Sequence, residues 1–264
     1  MTTRLGLALA LLATAAPAAA GNLPAIRVQT EGFGASEADI KAVIDSATTE
    51  LWKHFPGHQI EPVVVTRGHK GPITLFQRNI RKEIVVRLDT SKTYWSQYAY
   101  QWSHELCHIL CAYRNDASDN KWFEESLCEL ASLYTMRAMA GTWKTTPPYS
   151  NWKDYSKSLS SYAGDIIAKH PKLTPADLGK FYAENKTALR SDATRRNLNA
   201  TVAIALLPLF ETTPSRWAAV RYLNTTPATA GMSLTQYLKK WHDDAPEIHR
   251  PFIRSLATHF TAPE

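Results

Sequence analysis

The chain predicts an α+β fold, with a small mixed β-sheet in an N-terminal lobe and a mostly helical C-terminal lobe. Two observations carry that expectation. Short runs rich in β-branched residues, bounded by Pro, Gly and Asn, crowd the stretch up to Thr90, whereas from Lys92 onward apolar residues recur at helical spacing between Pro-, Gly- and Thr-rich joints. The 264 residues suit one two-lobed unit, and there is no internal repeat or low-complexity tract.

Taken in order, residues 1–20 have the pattern of a secretory signal. Arg4 lies in a short basic region, residues 5–13 are apolar, and Ala18-Ala19-Ala20 offers a small-residue cleavage site before Gly21. The expected location is therefore secreted or periplasmic. The first lobe is expected at 21–113 and the helical lobe at 114–264. A strand is expected at 26–30. Residues 36–54 should form an amphipathic helix, because Ile40, Val43, Ile44, Ala47 and Leu51 share a face, and Pro56-Gly57 ends it. Three β-rich runs follow at 61–66, 72–76 and 83–88, the last two around a Gln77-Arg78-Asn79 turn. Helices are then expected at 94–113, 121–139, 152–169, 176–189, 197–211, 215–223, 233–241 and 245–259.

The most telling segment lies in the first of these later helices: His104-Glu105-Leu106-Cys107-His108. Residues i and i+4 of a helix share a face one turn apart, so both imidazoles can reach one metal ion. Glu105 is offset from that pair, a poor third ligand but well placed to take a proton from water, which is the chemistry of an HExxH metallohydrolase. Glu124 is expected to be a solvated residue, because its helical angle differs from that of Glu125 by about 100°.

The second informative segment is Trp122-Phe123-Glu124-Glu125-Ser126-Leu127-Cys128-Glu129, separated from the first by a polar, turn-forming stretch at 114–120. Together the two segments resemble the zinc-binding helices of gluzincins, the thermolysin-like and aminopeptidase-like branch of the HExxH peptidases. Ser126 stands where that family usually has Gly. The resemblance implies a zincin-like fold and one Zn2+ per chain held by His104, His108 and Glu125. It also implies Glu105 as general base and Glu129 as a carboxylate orienting a ligating histidine. The implied activity is that of an exported zinc-dependent metallopeptidase, which hydrolyses peptide bonds through a zinc-activated water. The implied partner is a peptide or protein substrate. Endopeptidase action is expected over aminopeptidase action, since no GxMEN-like motif is present to hold a free amino terminus.

In the same family the sheet edge near the active-site helix pairs with substrate, which makes Ile73-Thr74-Leu75-Phe76 either such an edge or an ordinary hairpin arm. Gluzincins also supply a Tyr or His to the oxyanion. Where similar small bacterial proteins carry Tyr, this chain has Arg196-Asn197, and Tyr182, Tyr155, Tyr162 and His170 are the substitutes available by position. The alternative reading follows from that gap: a zinc-binding protein of the same fold with weak or no catalysis, acting as a binding or scaffold protein. The resemblance extends weakly through the Ser233-Leu234 to Trp241 phrase.

The chain has three cysteines, all beside this motif. With the two helices antiparallel, Cys107 and Cys128 fall at similar height, and a disulfide between them is favoured, with Cys111 free. Cys111 pairing with Cys128, or three buried thiols packing as small hydrophobes, are the alternatives. Removing residues 1–20 takes away one Arg and no acid, so the net charge goes from +6 to about +5. The Lys and Arg residues are scattered and form no nucleic-acid motif, so no nucleic-acid partner is expected. The apolar run at 5–13 is too short to span a bilayer, and no later stretch suffices, so no transmembrane segment is expected.

Overall fold

The computed structural model describes residues 23–261; the expected signal segment lies outside the described residues. Strand β1 (Ile26–Val28) leads into helix α1 (Glu37–Trp52), where Ser36 caps the first turn by accepting from the Asp39 amide at 3.1 Å. Then come β2 (Val63–Arg67), β3 (Ile73–Thr74) and β4 (Ile84–Leu88). The sheet order is β1-β2-β4-β3: the first three strands are parallel, and β3 is antiparallel to β4 at the edge, with Ile73 opposite Arg87 and Thr74 opposite Val86. The sheet is mixed, as expected of the fold class. The hairpin and edge-strand expectations for this segment describe the same object, since β3 is the hairpin arm and also the sheet's edge. Asn79 shapes the hairpin by accepting from the amides of Arg81 and Glu83.

Two helices, α2 (Trp95–Leu110) and α3 (Lys121–Thr142), form the centre of the molecule. They run antiparallel: Ser132 bonds the carbonyl of Tyr100, Cys107 meets the carbonyl of Leu127, and His108 meets Glu124. Tyr98, Trp102, Leu106 and Ile109 give α2 an apolar stripe, and the Trp102 indole donates to Thr48 of α1 at 2.8 Å. Fifteen of the 22 residues of α3 are buried, so α3 has little solvent face. The helices α4 (Tyr155–Ala168), α5 (Leu178–Ser191), α6 (Arg196–Thr212), α7 (Leu234–Asp244) and α8 (Arg250–Thr258) pack around this pair. The helix expected at 215–223 is a 3₁₀ helix, Pro214–Tyr222, and a shorter 3₁₀ turn precedes α8. One hydrophobic core runs unbroken from Ile26 and Val63 through Trp102 and Leu127 to Ile253 and Phe260, so both expected lobes share it. Among the described residues no helix is long and apolar enough to cross a membrane.

The connector between α2 and α3 is polar, as expected of a turn, yet it is anchored. Arg114 donates to the carbonyls of Asn224 and Thr225, Asp116 accepts from the Ala228 amide, and Asp119 pairs with Arg190 while accepting from the Gly231 amide. These bonds fix the angle at which α3 returns across α2.

Candidate metal centre

His104 and His108 project from the same face of α2, their rings 5.0 Å apart, toward α3. Glu125 lies across from both. One of its oxygens is 3.2 Å from His104 Nε2, and the other is 3.6 Å from His108 Nε2. Two ligands at ~2.0–2.1 Å from a tetrahedral metal are ~3.3 Å from each other, so each Glu125 oxygen lies at about ligand–ligand distance from a different imidazole. The far nitrogens also face carboxylates, one in hydrogen-bond contact and one farther off. His108 Nδ1 is 2.6 Å from Glu124 Oε1, and His104 Nδ1 is 3.7 Å from Glu129 Oε2. Each imidazole therefore has a carboxylate at Nδ1 and presents Nε2 to Glu125, the orientation that a metal-ligating histidine needs.

The expected residues are thus brought together, and the reading of Glu124 needs correction. Glu124, expected in solvent, is buried and accepts from the Asn224 amide at 2.8 Å while facing His108. The 100° step from Glu125 does not lead to water, because α3 is enclosed on nearly every side. Asn224 in turn accepts from the Tyr237 hydroxyl at 2.8 Å, and its backbone amide donates to the carbonyl of Cys111. The chain Tyr237–Asn224–Glu124–His108 ties α7 to the site. Sequence reasoning missed Asn224 and Tyr237; the Ser233 to Trp241 phrase was the available signal for the second. On the other side, the Tyr100 hydroxyl donates to Glu129.

The electrostatics favour positive charge between the histidines. Burial works against protonation of His108, but the Glu124 bond and the charges of Glu124, Glu125 and Glu105 outweigh it and raise the pKa to about 10. Burial pushes Glu125 upward, yet its bond to His104 and the charges of His108, His104 and Arg196 bring it below the usual range. Glu129 is raised to about 7 by burial, with Arg196 pulling the other way.

Glu105 is 2% exposed and accepts from the Thr74 hydroxyl at 2.7 Å. Edge strand β3 thus meets the motif helix at the glutamate. The end of α2 is pinned to the same edge, because the Tyr113 hydroxyl donates to the carbonyl of Leu75 at 2.8 Å and its ring stacks on Phe76. Both histidines, Glu105 and Glu125 open into a cavity of about 470 Å³, bounded by β3 on one side and by Tyr162 and Arg196 on the other. The Arg196 guanidinium reaches across the mouth to Gly71, where an added Cβ would lie 3.3 Å from it.

Tyr182, one of the four possible oxyanion donors, stacks on Trp122 with centroids 5.4 Å apart and does not line this cavity. Tyr155 bonds Ser96, and His170 bonds the carbonyl of Ile166. Of the four substitutes only Tyr162 faces the site, and its hydroxyl has no protein partner among the described residues.

No disulfide joins Cys107 to Cys128; all three cysteines are free, buried thiols. Cys128 also brings its sulfur within 4.8 Å of a nitrogen of each histidine, which makes it a second candidate for a third donor. Comparison with known proteins finds no matching family model, no matching curated protein and no matching solved structure. The likeness to gluzincins rests on the two sequence segments alone.

Proposed function

We propose that the chain is an exported zinc metallopeptidase in which His104, His108 and Glu125 hold the ion and Glu105 is the general base. The observation that carries the reading is the paired arrangement of carboxylates: Glu124 and Glu129 each face one Nδ1, while both Nε2 atoms converge on Glu125. Neutral imidazoles and a carboxylate suit zinc, and a set of three leaves a position open for chemistry. Zinc bound there supplies Lewis acidity that polarises a carbonyl and makes water acidic near neutral pH.

The chain's own residues do the rest. Thr74 holds the Glu105 carboxylate at the cavity wall, where it takes the proton of the attacking water and returns it to the leaving nitrogen. The free edge of β3 offers backbone groups to an extended peptide, which fits a peptide or protein substrate better than a compact metabolite. Tyr162 and Arg196 face the same space from the helical side and supply the donor and the positive charge that a developing oxyanion needs.

Metal analysis of the mature protein tests the assignment. The reading requires one equivalent of zinc, loss of peptide cleavage on chelation and its return with zinc. Glu125→Ala should lose the ion and Cys128→Ser should keep it. The reverse pattern would assign the third ligand to Cys128 and refute this ligand set.

A further inference from the structure

All three cysteines of the chain meet at one point behind the histidines. Cys107 and Cys111 lie one turn apart where α2 ends, and Cys128 faces them from α3. Their sulfurs lie within 4.8 Å of one another, with Cys107 and Cys111 at 3.9 Å, and all three residues are fully buried. Beyond each other, the only hydrogen-bond partner of these sulfurs among the described residues is the carbonyl of Leu127, 3.6 Å from Cys107 Sγ.

Metal–thiolate bonds of ~2.3 Å at tetrahedral or trigonal angles place sulfurs ~3.8–4.0 Å apart, whereas a disulfide needs ~2.05 Å. The Cys107–Cys111 separation falls in the thiolate–metal–thiolate range and excludes a disulfide, and Cys128 lies within 4.8 Å of both. Sulfur donors without any oxygen donor select soft cations and reject calcium and magnesium. The cluster adjoins the open cavity through the histidines, since Cys128 Sγ lies within 4.8 Å of nitrogens of His104 and His108, which line it.

We propose that Cys107, Cys111 and Cys128 form a second metal site for a thiophilic d10 cation softer than zinc, directly behind the histidine pair. It shares no ligand with the His104, His108 and Glu125 set, so it stands or falls independently of the peptidase reading. An ion held there ties α2 to α3 at the point where a disulfide is missing, and binding to the folded state raises stability by mass action.

The test is anaerobic titration of the mature protein, already holding one equivalent of zinc, with Cd2+, reading thiolate-to-metal charge-transfer absorption and bound metal. Cu(I) forms a parallel arm that tells a monovalent from a divalent occupant. The expected result is one further equivalent bound, with a charge-transfer band and a raised Tm. Cys111→Ser should abolish the band and the second equivalent but retain the zinc, and His104→Ala should keep the band. The 113Cd chemical shift of the wild type counts sulfur ligands without any variant. A band that survives Cys111→Ser, a shift showing fewer than three sulfurs, no second equivalent in either arm, or only one titratable thiol in the unfolded protein as isolated would overturn the proposal.

Discussion

Asn224 offers the sharpest test of how the centre is built, because it joins the histidine site to α7 through hydrogen bonds on both sides. It donates to Glu124 Oε2 at 2.8 Å and accepts from the Tyr237 hydroxyl at 2.8 Å, and both contacts are buried. Replacing Asn224 with Ala removes a bond to a carboxylate and leaves a buried phenol unpaired. The first loss is ~1.5–3 kcal/mol and the second ~1–3 kcal/mol; relaxation around the smaller side chain brings the expected total to ~3 kcal/mol. At ~2–4 °C per kcal/mol for a chain of this size, Tm should fall by ~6–12 °C. Tyr237→Phe strands only the Asn224 carbonyl oxygen and should cost ~1–2 kcal/mol.

The two sites share a contact, so the double variant should be little worse than Asn224→Ala alone, with a coupling of ~1–2 kcal/mol. Loosening Glu124 should also weaken zinc binding ~10-fold, at the lower end of what outer partners of a ligating histidine contribute. Denaturant unfolding of the four proteins and competition with a zinc-sensitive chelating dye give both numbers. A loss below ~1 kcal/mol for Asn224→Ala, or strict additivity in the cycle, would refute the Tyr237–Asn224–Glu124 chain as a working unit.

Three further outcomes are expected. Thr74→Val removes the hydroxyl that holds Glu105 and should lower kcat ~10-fold, the equivalent of one hydrogen bond, while the zinc content of the purified protein stays the same. Tyr162→Phe should reduce kcat by ~10²-fold if its hydroxyl meets the oxyanion, while Tyr182→Phe, stacked on Trp122 outside the cavity, should leave kcat unaltered; the opposite order in steady-state assays would exchange their roles. His54 is lowered from 6.5 to about 4, chiefly by burial, then by Lys53, with Glu50 opposing, and its Nε2 lies 2.7 Å from the Tyr134 hydroxyl. The neutral ring is the one the fold accommodates, so its contribution is complete above pH 6.5 and is lost as pH falls toward 4. Its full value of ~3 kcal/mol is reduced to ~1–2 kcal/mol by solvent contact. His54→Gln should therefore flatten unfolding free energy against pH across that window, and an unchanged slope would remove His54 as the cause.

Much of this architecture is legible in the residues themselves. The face of α1 defined by Ile40, Val43, Ile44, Ala47 and Leu51 is buried as its spacing predicts, and β2 and β4 fall within a residue or two of their Val- and Ile-rich runs. Glu125 faces both Nε2 atoms because a five-residue motif and an anchored turn leave α3 little choice of where to return. What one-dimensional spacing does not carry is enclosure. Glu124 reads as solvated when helical angle is measured from Glu125 alone, but α3 is surrounded, so a carboxylate on its flank meets His108 in place of water. Asn224 and Tyr237 lie 116 to 133 residues from the histidines, and no local pattern links them. The cysteine pairing failed for a related reason, since helical angle places sulfurs on a common side without fixing their separation.

The account turns on Glu105 acting as a base beside a metal held by His104, His108 and Glu125. The most direct test is mass-spectrometric cleavage of a mixed peptide library by the mature zinc-loaded protein beside zinc-loaded Glu105→Gln. The account predicts cleavage by the wild type, at least ~10²-fold less by the variant, and one equivalent of zinc in both. No cleavage by either protein, with zinc bound at one equivalent, would contradict it and leave a metal-stabilised binding or scaffold protein in its place.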